Sequence, residues 1–345
     1  MRTLLGLPFL VLFAACSGNT TAEPLAHAET ALQIDSGSVG FDELAWAPGL
    51  KRVLVPAGGT GQVHLLDPST GATESVEGFS HSAALRGGHT QGPTSAAEAE
   101  GFVVAVDRTA KQVVLFDPRT HDIIGTHQLG ATPDYVRFEP ASREVWVTEP
   151  EAERLEIFKL DPLRGEGAFA PVTAIDIADG PESLVFDATR GRAYASLWHG
   201  VTVAIDLGSH TVRGAFANGC EGSRVLAIDE PRALLFSACV EGAVTTMDLA
   251  HGGQVASKLT YGEGIDGIAY DARRGLIHAP SAIRGTMATI TVGNAGELAL
   301  ASEVTTAKGA SCVAVDDDGG IWICDPAHGR VLSVRAPNVL EGASR

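Results

Sequence analysis

Short runs of alternating apolar and polar residues fill most of this chain, and Gly, Pro and Asp punctuate them. The alternation has the period of a β-strand and not of a helix, so the pattern predicts an all-β fold. One frame recurs along it: a Gly or Pro, a polar residue, a short alternating run, then an acidic turn. It reads TPDYVRFE at 132–139, GPESLVFD at 180–187, GSRVLAID at 222–229, GIDGIAYD at 264–271 and GASCVAVD at 309–316. GFDELAWA at 40–47 and GPTSAAEA at 92–99 are fainter copies. With the polar third residue as marker, the copies fall at 42, 94, 134, 182, 224, 266 and 311, in steps of 52, 40, 48, 42, 42 and 45 residues. A period near 40–50 residues is that of four-stranded propeller blades.

Each copy continues with a second β-rich run, such as REVWVTE, RAYASLW, ALLFSAC or GIWICD. A third run then ends at a turn that begins with Asp: Asp67-Pro-Ser-Thr-Gly, Asp117-Pro-Arg-Thr, Asp161-Pro, Asp206-Leu-Gly-Ser and Asp248-Leu-Ala-His-Gly. Pro presets φ, the Asp side chain accepts a nearby backbone N–H and Gly takes positive φ, so these are turns with a mechanism. A fourth run follows, for example GATESVEG or DIIGTHQL. The seventh copy stops at VLSVRA (331–336) with no fourth run, and residues 31–36 ahead of the first marker can supply it. The expectation is a seven-bladed β-propeller of four-stranded antiparallel blades over 31–340, closed by an N-terminal strand joining the last blade. Closure leaves only short, protected edges.

These blades resemble the YVTN-repeat, YncE-like propellers over about residues 31–336, and CVAVDDDGGIWICDPAHGRVLSV in the last blade is also similar to the NHL repeat. The resemblance implies the fold. It implies little about activity, because a propeller hosts unrelated functions.

The N-terminus adds an address. Arg2, an apolar run over 4–13 and Ala14-Ala15 before Cys16 describe a secretory signal over residues 1–15. The Ala-Ala-Cys ending resembles the bacterial lipobox, which implies lipidation of Cys16; Ser17 in place of Asp implies outer-membrane delivery. Residues 16–30, small and polar at first, are expected to form a flexible tether. The localisation expected is therefore the cell envelope, as an outer-membrane lipoprotein facing the periplasm or the surface, held to the membrane through its lipid. Loss of residues 1–15 removes only Arg2 and moves the formal charge from −17 to −18. Such an acidic chain is a poor nucleic-acid binder.

Four cysteines follow Cys16. Cys220 and Cys239 straddle the first hairpin of blade five, and Cys312 and Cys324 that of blade seven, so the pairs Cys220–Cys239 and Cys312–Cys324 are expected as disulfides.

Candidate chemistry gathers where the innermost strands begin. The markers Asp42, Thr94, Asp134, Glu182, Arg224, Asp266 and Ser311 should ring one mouth of the central channel. Convergent carboxylates attract cations, bind hard metals and raise one another's pKa values. Asp134, Glu182 and Asp266 are the candidate ligands of a divalent cation, unless Arg224 neutralises Glu182 and Asp266 from between them. Trp198, at the end of a second strand near the mouth, suits ligand stacking if exposed and is core if buried. In gluconolactonase-type propellers a channel cation is held by a Glu, Asn and Asp set. Here Glu43, Glu182 and Asp266 can supply carboxylates, but Asn19, Asn218, Asn294 and Asn338 all miss the marker positions. His199 and His278 are the nearest counterparts of the His in streptogramin-lyase-type propellers, and His278 is expected to be a packed strand residue. His81 and His89 lie in the irregular stretch 78–93 and are a second candidate ligand pair. No G-x-S-x-G and no Gly-rich phosphate loop appears. The function expected is a monomeric scaffold that holds a periplasmic or outer-membrane protein, or a small ligand, at its channel mouth through Asp42, Asp134, Glu182, Arg224, Asp266 and Trp198. The alternative is a cation-dependent hydrolase or lyase in the channel.

Overall fold

The computed structural model describes residues 26–81 and 91–335. They form seven sheets, each a four-stranded antiparallel blade, one of which carries a fifth, short parallel strand at its outer edge. The innermost strands are Ala45–Ala47, Pro93–Ala99, Val136–Glu139, Pro181–Asp187, Ser223–Asp229, Ala269–Asp271 and Val313–Val315. The chain is a seven-bladed β-propeller.

Closure uses the N-terminus. Glu29–Gln33 pairs antiparallel with Arg330–Arg335, setting Leu32 opposite Val331 and Gln33 opposite Arg330. The strand begins two residues before the segment expected for this role, and Ile34 and Asp35 then donate to the Gly329 carbonyl at 2.9 and 3.1 Å. Ala26–His27, inside the segment expected to be a flexible tether, adds a short parallel strand to the outer edge of blade six, beside Val304 and Thr305. Backbone pairing offered by an open edge holds a sequence that has no apolar pattern of its own.

Burial follows position within the blade. Second strands such as Glu144–Glu149, Leu234–Cys239 and Leu276–Ser281 are buried at every residue, because both faces meet neighbouring blades. Outer strands such as Thr211–Ala217 lie almost wholly exposed. The core is accordingly a series of clusters between blades: Trp146, Leu184 and Ile205 join blades three and four, and Phe236, Ile277 and Ile290 join five and six. Tyr194, Leu226, Leu235 and Met247 make a smaller one between four and five.

The repeated acidic turn has a local cause. Asp187, Asp229 and Asp271 each close the first hairpin of a blade by accepting the N–H of Arg190, Arg232 and Arg274, at 3.0, 3.1 and 3.1 Å. The same arginines reach back to those carboxylates at 3.0, 2.6 and 2.9 Å. Asp67, Asp117, Asp206 and Asp248 do the same work at the outer turns, accepting from Ser69, Arg119, Ser209 and Ala250 at 2.8 to 2.9 Å.

Both expected disulfides form, with Cα–Cα separations of 5.2 Å for Cys220–Cys239 and 5.5 Å for Cys312–Cys324. Each ties the start of a blade to the end of its second strand, at the mouth where the markers lie.

Candidate functional site: the channel mouth

Strand direction brings two kinds of loop to one face: those entering the innermost strands and those joining second to third strands. Hydroxyls anchor the inner ring from blade to blade. Ser95 Oγ accepts Val136 N–H at 3.1 Å, Ser183 Oγ accepts Leu226 N–H at 3.1 Å, and Ser196 Oγ donates to the Arg224 carbonyl at 2.7 Å. These bonds fix where each marker side chain starts.

Two arginine clasps then organise the throat. Arg108, in the second-to-third turn of blade two, reaches Asp42 at 3.0 Å and makes a close ion pair with Asp134, so it spans blades one to three. Its Nε also donates to the Pro133 carbonyl at 3.2 Å. The Arg108 and Asp134 side chains are each 6% exposed, a buried pair. Arg224 of blade five lies 3.3 Å from Asp266 and 3.9 Å from Glu182, and so spans blades four to six. A third pair joins blades one and three. Arg137 of blade three meets Glu43 of blade one at 2.5 Å, and Ser95 Oγ donates to the same carboxylate.

Tyr135 stands among these groups. It is buried, with the Arg137 guanidinium 5.2 Å from its ring centroid. Burial first, and then the charges of Asp266, Asp42, Glu43 and Glu182, hold its hydroxyl protonated well above the ordinary tyrosine range. Tyr135 directly precedes the innermost strand of blade three, and carboxylates from blades one, four and six act on its phenol. Burial also raises Glu182, against the opposing pull of the Trp198 indole N–H at 2.5 Å and of Arg224. At Arg137 burial works against the charge, and Glu43 outweighs it.

Of the residues expected at the mouth, Asp42, Glu182, Arg224 and Asp266 are therefore brought together around the throat, and Asp134 is turned into the Arg108 clasp. Asp266 is the most open, at 39% side-chain exposure. Trp198 is half-buried, its ring lying on Gly180, where a Cβ would come within 2.7 Å of the indole. Thr94 is buried and donates to the Asp134 carbonyl at 3.4 Å. His199 is exposed and paired with Asp179. Its counterpart in expectation, His278, is fully buried, bonded to Thr289 at 3.2 Å and lowered to about 4 by burial. His81 is exposed, and His89 lies outside the described residues.

Asp134, Glu182 and Asp266 do not share one ligand sphere. Among the described residues, the one cluster of three metal-type donors is Cys220, Cys239 and Glu241, whose sulfurs are joined to each other. Arg108 and Tyr135 were not legible as site residues. The one signal for Arg108 is compositional: blade two, like blade seven with Ser311, has an uncharged marker in Thr94, and its cation arrives instead from the turn DRTA.

With this geometry in view, comparison with known proteins places the fold. No protein-family model matches the sequence, and no curated protein matches it. Solved structures do. A chain of Kuenenia stuttgartiensis hydrazine synthase is similar with a TM-score of 0.72 at 14% identity, over 88% of this chain and 97% of that one. A chain in the mitotic checkpoint complex gives a TM-score of 0.70 at 11% identity, over 97% and 99%. The Swd1 β-propeller domain of Myceliophteria thermophila gives 0.69 at 12% identity, over 89% and 99%. The likeness is one of fold. At such identities no residue role carries across.

Proposed function

We propose that this propeller is a binding scaffold of the cell envelope, tethered through lipidated Cys16 and holding a protein or small ligand at its channel mouth, in the manner its YVTN-like repeats suggest. The supporting observation is the state of the throat. Its carboxylates already have arginine partners in Arg108, Arg224 and Arg137, and Tyr135 stands among them. A throat pre-paired in this way presents a rigid, charged, patterned surface. The open groups of the mouth, Asp266, Trp198 and Arg224, supply a carboxylate, an aromatic face and a guanidinium for recognition. A propeller chain within the mitotic checkpoint complex shares the fold and works in a protein assembly.

Calorimetric titration of the mature protein with calcium, magnesium, zinc and copper tests this against a cation-dependent hydrolase or lyase. The scaffold predicts no saturable heat. Stoichiometric binding that disappears in Asp266→Ala or Asp134→Ala would overturn it in favour of channel chemistry.

A further inference from the structure

The upper face is not uniform around the ring. From blade four into blade seven its loops form one continuous backbone ladder. Trp198 N–H donates to the Asp179 carbonyl at 3.0 Å, Ser223 to Trp198 at 3.2 Å, Val240 to Gly222 at 2.9 Å and Gly264 to Val240 at 3.0 Å. Ala282 then donates to Gly264 at 3.1 Å, and Gly309 to Ala282 at 2.8 Å. The ladder satisfies its own backbone groups, so what it offers outward is side chains.

Those side chains are apolar in blades five and six. A Cβ at Gly222 would fall 2.6 Å from Val240 Cγ1, and one at Gly264 would fall 3.1 Å from Ile283 Cγ1. Val240 and Ile283 thus lie across bare glycine backbone, at 39% and 61% exposure. With the half-buried Trp198 they make an apolar strip outside the charged throat. The Cys220–Cys239 bridge ends directly before Val240 in the chain.

Acid frames this strip on the same loops. Glu221 and Glu263 immediately precede the two glycines, are exposed, and have no ion-pair partner among the described residues. Glu241 is held by the N–H groups of Glu221 and Gly222 at 2.9 and 3.2 Å and is paired with Lys258 at 3.3 Å. Arg284 is likewise paired with Glu303 at 3.1 Å, which leaves Glu221 and Glu263 as the strip's acids outside any ion pair among the described residues. The pattern Glu-Gly ends at blade seven, where Lys308-Gly309 stands in the equivalent place. An anionic surface such as phospholipid or nucleic acid is repelled by that frame, whereas a cationic side chain next to an apolar one complements both features.

We propose that the upper strip of blades four to six is a docking surface for a partner protein, through a segment in which Lys or Arg neighbours a bulky apolar residue. This deepens the mouth-binding function and rests on it. Apolar contact on Val240 and Ile283 supplies the anchor, and Glu221 and Glu263 select the charge and speed the encounter.

Selection of a random dodecapeptide phage library on the immobilised mature chain tests it. The enriched peptides should pair Lys or Arg with Trp, Phe, Leu or Ile. A synthetic peptide from that set should bind at least tenfold more weakly to Ile283→Lys and to Glu263→Lys, both at exposed positions, with thermal melting unchanged. No enrichment, acidic winners, or equal affinity for both variants would overturn the strip. If affinity falls instead only in Asp266→Asn, mouth binding stands and the strip does not. Binding that no upper-face change affects would remove both.

Discussion

Arg108 is the residue whose loss should cost most per atom removed. Its guanidinium holds two carboxylates from two other blades, and it and Asp134 are nearly inaccessible to water. Arg108→Ala leaves Asp134 buried without its cation, and breaking such a pair from one side costs about 3–5 kcal/mol. Arg224 makes the same kind of clasp in a wetter place, with longer separations and a half-open Asp266. Solvent screening reduces its contribution, so Arg224→Ala should cost about 1 kcal/mol or less. Equilibrium urea unfolding of the disulfide-intact mature chain, followed by tryptophan fluorescence, separates the two. Neutralising all three partners in Arg108→Met/Asp42→Asn/Asp134→Asn should recover most of the loss, because the penalty comes from the stranded charge and not from the missing bond. An Arg108→Ala variant within about 1 kcal/mol of the parent, or equal in stability to Arg224→Ala, would refute the clasp.

Acid should weaken the ring through two buried histidines. Burial lowers His64 and His278 from 6.5 to about 4, and the Nε2 of each has no protein partner. The unfolded chain therefore binds these protons first. Stability is unaffected above about pH 6.5 and falls as pH drops from 6.5 to 4, by up to about 3 kcal/mol per histidine; His278→Gln should flatten that slope in urea melts taken across pH. Reduction of either disulfide should cost about 3 kcal/mol, since the bridges close intervals of 19 and 12 residues, and the loss should show in Cys220→Ser/Cys239→Ser by denaturant midpoint. Mass spectrometry of the mature N-terminal peptide should find acyl chains on Cys16, and an unmodified N-terminal peptide would remove the anchor.

Much of the fold was legible because each blade repeats the same local necessities. The Asp that closes the first hairpin of blades four, five and six, and the Asp that opens the outer turns, act through neighbours within a few residues, so they print a period on the sequence. The cysteine pairs were legible for the same reason, since each bridges one hairpin. What escaped depends on contacts that no local pattern records. Ala26–His27 is a strand only because blade six offers an edge. Arg108 and Tyr135 lie one residue past a strand end and one past a marker, and nothing local distinguishes them from surface positions. Their roles come from Asp42, Asp134 and Asp266, which fold closure carries across the ring. The marker acids Asp42, Asp134, Glu182 and Asp266 pair with Arg108 and Arg224 across blades. Their pairing was legible only for Arg224, which sits at a marker itself.

The central claim is that this ring recognises its partner at the upper mouth. Site-directed photo-crosslinking in the cells that make the protein tests it most directly. A photoreactive residue at His199 or Ile283, on the upper face, is compared with one at Val212, on the exposed outer strand of blade four. A discrete adduct from the two mouth positions and none from Val212 is the predicted result. Adducts from Val212 with silence at the mouth would contradict it and move recognition to the rim of the blades.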